Sequence, residues 1–487
     1  MQLRNPKLLR SESYFGGEWH SAADGRTFSV GNPATGEAII DVADLNSINA
    51  AEAIKAAHLA QADWAALTVK ERSAYLRRWF DLIMANQDDL ATILTTEQGK
   101  PLAEAKGEIA YGANYIEWFA EEAKRVYGDI IAPPNNTQRL FVIKQAIGVV
   151  ASITPWNFPN AMLARKAAPA LAAGCTFVAK PAQETPLSAL ALAVLAEEAG
   201  IPAGVFNVVC SSDAPAIGHV LTSSPLVSKL SFTGSTQVGK VLLAQCATSV
   251  KKTSMELGGN APFIVFNDAN LELAIKGVMS SKFRNAGQTC VCTNRIYVQR
   301  DIHDVFIEKL VSAMETLNTG NGRDDGVNIG PLITNKAAAK VTELVNDALE
   351  HGAKLEYLAK MDITAGDNTR FYPPTLISGV NKHMQISKDE IFGPVAAVSI
   401  FDTEEEVLAA ANNTEFGLAS YFYTNDISRV WRFGEALEYG IVGINEGLIS
   451  NEMAPFGGIK ESGFGREGSK YGIEDYMEIK YMCLGGI

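Results

Sequence analysis

Cysteine is scarce and scattered: there are six in 487 residues, at positions 175, 210, 246, 290, 292 and 483. They form neither a disulfide framework nor a CxxC pair. No HExxH segment is present either, so no bound metal is expected. Long apolar runs are missing too: no stretch reaches the roughly 18 uninterrupted apolar residues a membrane span requires. The polar residues 1–13 are not followed by the apolar run of a secretory signal. The expectation is a cytoplasmic protein without a membrane partner. Basic charge is in deficit, with 42 Lys and Arg against 55 Asp and Glu and a net charge of −13. Such a chain suits a phosphate backbone poorly, so nucleic acid is not an expected partner. Charged residues still make up 20% and apolar ones 47%, the balance of a globular chain. At about 150 residues per domain, the length suggests about three structural units.

No repeat, low-complexity tract or long linker interrupts the chain. Residues 47–124 read as helical, because apolar residues such as Leu76, Phe80 and Met84 recur at helical spacing. Pro133, Pro134, Asn135 and Asn136 break that pattern. A β-prone run at 139–144 follows, an excursion from the main body. From Gly148 the chain alternates: strands at 149–154, 176–179, 205–209 and 229–232, with helices near 161–173, 187–199, 214–221 and 236–246. Gly174, Gly200 and Pro202 are helix stops. The alternation predicts a parallel sheet covered on both faces, the dinucleotide-binding type of architecture. A second α/β section runs from about 261 to 445. The β-prone tail at 475–483 is too short to fold alone and is expected to pair with another segment or another subunit.

Four places carry residues suited to chemistry. Gly234 and Ser235 lie between a strand and a helix, where a tight turn and helix N-terminal amides suit a phosphate. The GxGxxG fingerprint is absent, so an ordinary turn is the simpler account of that segment alone. Cys290 follows Gly287-Gln288-Thr289, a polar setting that suits an exposed thiol better than a core one. In a strand Cys292 would face the same side, which makes oxidative pairing conceivable and a packed small residue the stronger reading. Glu256, in Met255-Glu256-Leu257-Gly258-Gly259, is either solvated at a sheet edge or held as a general base. Asn157, in Trp156-Asn157-Phe158-Pro159, either donates its amide into a site or belongs to a turn.

Asn157, Lys180, Gly234, Glu256, Cys290 and the segment Glu390-Ile391-Phe392-Gly393-Pro394 occur in one order over most of the chain. That set resembles the aldehyde dehydrogenase superfamily. Longer runs at 97–107, 170–175, 230–234, 281–292 and 455–481 are similar to the succinate-semialdehyde dehydrogenases within it. The resemblance implies a Rossmann-type cofactor domain at 1–125 and 147–257 and an α/β catalytic domain at 258–458. It also implies a β oligomerisation arm at 126–146 and 470–487, extending a neighbour's sheet in a homodimer or homotetramer.

The resemblance also implies the chemistry. Cys290 is the expected nucleophile, forming a thiohemiacetal and then a thioester. The Asn157 amide holds the oxyanion, and Glu256 activates the hydrolytic water. Trp156, Lys180, Gln183, Gly234, Ser235, Leu257, Glu390 and Phe392 are the expected cofactor contacts. NAD-preferring relatives carry glutamate where this chain has Gln183. A neutral residue removes the repulsion of a 2′-phosphate and leaves Lys180 to pair with it, so NADP and NAD are both expected to serve. Arg165, Arg284 and Ser450 match the residues that hold the distal carboxylate of a small semialdehyde substrate, although each arginine alone suits a structural ion pair. Rival readings are a glutarate-semialdehyde or broader aldehyde dehydrogenase, and a non-redox thiol esterase using the same cysteine.

Overall fold

The computed structural model describes residues 1–361 and 370–487. Four helices fill the region read as helical: Ser47–Ala66, Val69–Ala85, Gln87–Gln98 and Leu102–Glu122. The first two begin in capping boxes, at Asn46 with Asn49 and at Thr68 with Glu71, which satisfy N–H groups that a helix start leaves without partners.

The first large sheet has eight strands, in spatial order Glu18–His20, Ser13–Phe15, Phe206–Val208, Thr176–Lys180, Val149–Ile153, Val227–Thr233, Lys252–Glu256 and Gly463–Phe464. Its five central strands are parallel. Successive strands step one way from Val149–Ile153 to Phe206–Val208, then jump back to Val227–Thr233 on the other side. The switch point therefore lies between Val149–Ile153 and Val227–Thr233, and a crevice opens beyond their carboxyl ends. Trp156 and Asn157 follow the first of these strands, and Gly234 and Ser235 follow the second. The helix Pro159–Ala173 packs below the crevice with every residue buried, and Gly174 closes it at φ 95°. It starts two residues earlier than periodicity suggests, because proline fits the first helical position.

The second sheet has seven strands, in order Lys354–Leu358, Thr375–Ser378, Val395–Phe401, Thr293–Gln299, Ala261–Val265, Ala419–Tyr423 and Ile441–Ile444. All but the first run parallel. The β-prone tail, Met477–Gly485, pairs with the excursion of its own chain, from Met477 opposite Ala146 to Gly485 opposite Gln138. Asp129–Ile131 adds the third strand. This small sheet leaves Ile130, Ile479 and Leu484 exposed. No helix among the described residues is long and apolar enough to cross a membrane.

Candidate active site

The turn after Val149–Ile153 brings Asn157 into the crevice. Its side chain is buried, with Nδ2 donating to the Gln288 carbonyl at 3.1 Å. Gln288 belongs to the loop that precedes Cys290. That loop contains two non-glycine residues at positive φ, Asn285 (52°) and Ala286 (53°), a conformation that persists where surrounding contacts impose it. Asn285 Oδ1 accepts from Gln98 Nε2 at 3.0 Å, and Asn285 Nδ2 donates to the Asn157 carbonyl at 3.0 Å.

Cys290 is half-buried and packs against the cluster of Phe158, Ala161 and Met162, as does Tyr111. Burial pushes its thiol up to about 12, while the charges of Arg165 and Arg284 pull it down and Glu390 and Glu256 push it further up. A Cβ on Gly259 would stand 2.5 Å from the Cys290 carbonyl oxygen, so glycine there lets the loop after Glu256 approach the cysteine. Cys290 and Val291 form a turn before the strand Thr293–Gln299, which corrects the expectation that Cys290 and Cys292 share a strand face. Cys292 is buried and its thiol points at the Lys282 carbonyl, 3.4 Å away.

Glu256 ends the strand Lys252–Glu256 and is buried, not solvated, with neither carboxylate oxygen hydrogen-bonded among the described residues. Desolvation and the neighbouring Glu467 hold its pKa well above the usual carboxylate range, against the pull of Arg165, Lys166 and Arg466. Glu467 bridges Arg165 and Lys166, with all three side chains almost fully buried. Arg165 thus has a structural carboxylate partner, lies over the Phe456 ring at 4.4 Å, and keeps Nη2 without a hydrogen bond. Arg284 differs. It is half-buried, lies 5.3 Å from the Phe158 ring centroid, and has no ion pair or hydrogen bond among the described residues. Ser450 is half-buried in the chain beyond Ile441–Ile444.

On the other wall, Ser235 caps the helix Thr236–Cys246 and accepts from Val238 N–H at 3.4 Å. A side chain on Gly234 would strike the Phe232 ring. Leu257 is buried. Lys180 is buried at its strand end rather than solvated in a loop, with Nζ donating to the Pro181 carbonyl at 3.0 Å. Gln183 is exposed and lines a cavity of about 420 Å³ with Glu184 and Glu97. Glu390 accepts from Gly259 N–H at 3.2 Å, and burial pushes its carboxyl up to about 7. Trp156 and Phe392 meet edge to face, ring centroids 5.7 Å apart, with Phe392 at φ 55°.

Sequence reasoning passed over Lys100, Glu108, Lys166 and Glu467, four charges buried around this crevice. A signal was present: Lys166 stands beside Arg165 in a helix otherwise rich in alanine and leucine, where a charge stays only if it is paired.

A crevice at the switch point of a doubly wound sheet, faced by a second α/β body, is the arrangement of a dinucleotide-binding enzyme. The chain belongs to the aldehyde dehydrogenase family, whose pattern matches residues 19–482, and it is an NAD(P)-dependent aldehyde dehydrogenase. It is 60% identical to the glutarate-semialdehyde dehydrogenase of Pseudomonas aeruginosa, over 100% of both chains. It is 59% identical to the NADP(+) succinate-semialdehyde dehydrogenase of Escherichia coli strain K12, again over 100% of both. The crystal structure of an aldehyde dehydrogenase from Brucella melitensis biovar abortus 2308 superimposes with a TM-score of 0.98, at 58% identity and 100% coverage of each chain.

Proposed function

We propose that the chain oxidises succinic semialdehyde to succinate through a covalent intermediate on Cys290, with glutaric semialdehyde as a weakly rejected second substrate. The observation that carries the substrate is Arg284, a guanidinium with no ion pair or hydrogen bond among the described residues, near enough to Cys290 to lower its pKa. An aldehyde with a distal carboxylate would complete it. Arg165 Nη2 and Ser450 join it in this reading. The names of two close relatives, each for a semialdehyde acid, support the same class. One methylene is worth only about 1–3 kcal/mol, so the longer acid is hard to exclude.

In this reading the Cys290 sulfur adds to the aldehyde carbon. The alkoxide that forms is held by the Asn157 side-chain N–H and the Cys290 backbone N–H. NADP or NAD would lie in the crevice, where the helix start at Ser235 suits its phosphates and Trp156, Leu257, Glu390 and Phe392 frame its nicotinamide end. When bound, the nicotinamide accepts the hydride. Glu256 takes a proton from the water that cleaves the thioester. Lys180 would meet the adenosine ribose, and neutral Gln183 tolerates a 2′-phosphate. Gln183→Glu is therefore expected to weaken NADP about tenfold and to spare NAD, read from the two KM values; equal effects would remove Gln183 from cofactor choice.

Initial rates with succinic semialdehyde, glutaric semialdehyde and butanal, each under NAD and NADP, test the substrate. Arg284→Ala is expected to lower kcat/KM for the acid aldehydes roughly 10- to 150-fold, the worth of one charge-assisted contact at about 1.5–3 kcal/mol. Butanal should be unaffected. An unchanged acid-to-neutral ratio would sink the carboxylate assignment. The same reading makes the chain a dimer or tetramer, supported by the exposed apolar arm and the open edge strand Ile441–Ile444.

A further inference from the structure

We propose that Lys100 and Glu108 are positioning residues that aim the Asn157 amide, an inference resting on the reading of Asn157 as the oxyanion donor. Lys100 lies just past the helix Gln87–Gln98, and Glu108 lies in the second turn of Leu102–Glu122; both side chains are almost fully buried. Lys100 Nζ donates to Glu108 Oε2 at 2.5 Å and to the Asn157 carbonyl at 2.7 Å, and sits 3.8 Å from the Phe158 ring centroid. The other oxygen, Glu108 Oε1, accepts from Asn160 N–H at 3.0 Å and Ala161 N–H at 3.2 Å. One ion pair therefore holds residues 157–161 at both ends: the carbonyl before the helix Pro159–Ala173 and two of its first N–H groups.

Two donors, Lys100 Nζ and Asn285 Nδ2, converge on the Asn157 carbonyl. Together they fix the peptide plane from which the Asn157 side chain departs. With the backbone so fixed and one Nδ2 proton committed to the Gln288 carbonyl, the side-chain amide is held at both ends and its other N–H keeps one direction. An oxyanion donor loses its effect when displaced by fractions of an ångström. A buried ion pair is a poor source of stability, since apolar residues of similar volume replace it at little cost. Its value here is orientation: the lysine supplies a short bond to one carbonyl, and the carboxylate, held by the lysine, fixes the helix start beside it.

The test is a double-mutant cycle. Lys100→Met combined with Glu108→Gln removes both charges of the pair together and keeps an acceptor for the Asn160 and Ala161 N–H groups. In the native background this pair should lower kcat with succinic semialdehyde at least tenfold, with the dissociation constant for NADP, read by tryptophan fluorescence, unchanged within twofold. In an Asn157→Ala background the same pair should lower kcat less than twofold, because the amide it aims is gone. Equal losses in the two backgrounds, or no loss in the first, would overturn the proposal. If Asn157→Ala itself leaves kcat unchanged, the oxyanion reading fails instead. Glu108→Gln alone is expected to show the same background dependence with a three- to tenfold loss, and it decides the matter should the paired replacement fail to fold.

Discussion

Glu256→Gln is expected to release one reduced nicotinamide per chain in a rapid burst and then to turn over about 10²- to 10⁴-fold more slowly than the native enzyme, the usual worth of a positioned general base. Glutamine keeps the shape of the side chain and loses the ability to take a proton. Addition of Cys290 to the aldehyde and oxidation of the adduct precede the step that needs this proton acceptor, so the first turnover survives. Both carboxylate oxygens of Glu256 lack hydrogen-bond partners among the described residues, which leaves them free for a water. Rapid-mixing absorbance at the reduced-nicotinamide band reads burst and steady rate together. Normal steady turnover would place water activation elsewhere. A lost burst would move Glu256 into the activation of Cys290.

The raised pKa of Glu256 adds two directions to the same experiment. A base with a pKa above the usual carboxylate range works only once deprotonated, so the native steady rate should climb as pH rises through that raised value, and the glutamine variant should lack the climb. Stability runs the opposite way. Between the ordinary carboxylate pKa of about 4.3 and the raised one, the folded chain holds a proton that the unfolded chain releases, so stability falls as pH rises. A glutamine side chain at this position carries no such linkage. The variant should therefore melt higher than the native enzyme, by a margin that widens from acid toward neutral pH. An equal or lower melting temperature at pH 7 would mean that the carboxylate is better solvated than its burial implies.

Much of this site was legible in the sequence, and what was not has a physical reason. The strand–helix alternation after Gly148 gave the elements to within a few residues, because turn glycines and prolines mark their ends locally. Trp156-Asn157 and Gly234-Ser235 could be placed on loops for the same reason. Which strands become neighbours is a nonlocal matter, and so is the switch point that brings those loops together. Arg165 shows the limit most clearly. Its partner Glu467 lies about 300 residues away in sequence, and no local pattern tells an arginine paired at that range from one left open like Arg284. Lys100 and Glu108 were hidden differently: a Lys–Glu pair eight apart near a helix start looks like an ordinary solvated pair until the helix Pro159–Ala173 packs over it.

Alkylation of Cys290 without cofactor is expected to be about a thousandfold slower at neutral pH than that of an ordinary thiol, and to rise about tenfold per pH unit from 7 to 10 without a plateau. The thiolate is the reactive form, and a free cysteine of pKa about 8.5 is about one-tenth ionised near pH 7.5. Burial lifts Cys290 to about 12, and a raised acid pKa means a smaller ionised fraction at every pH below it. Cys483 is exposed on the arm and serves as an internal standard when iodoacetamide adducts are counted by peptide mass spectrometry. Removing a charge that favours the thiolate should slow the reaction further, so Arg284→Gln should label Cys290 more slowly than the native chain while Cys483 is unchanged. Such a profile would mean that the protein does not store a reactive thiolate. The negative charge would arise only when an aldehyde reaches the sulfur, with the thiol proton passing to water and the new alkoxide meeting the Asn157 amide. A plateau near pH 9 would mean the reverse: Arg165 and Arg284 outweigh burial, and Cys290 waits already ionised.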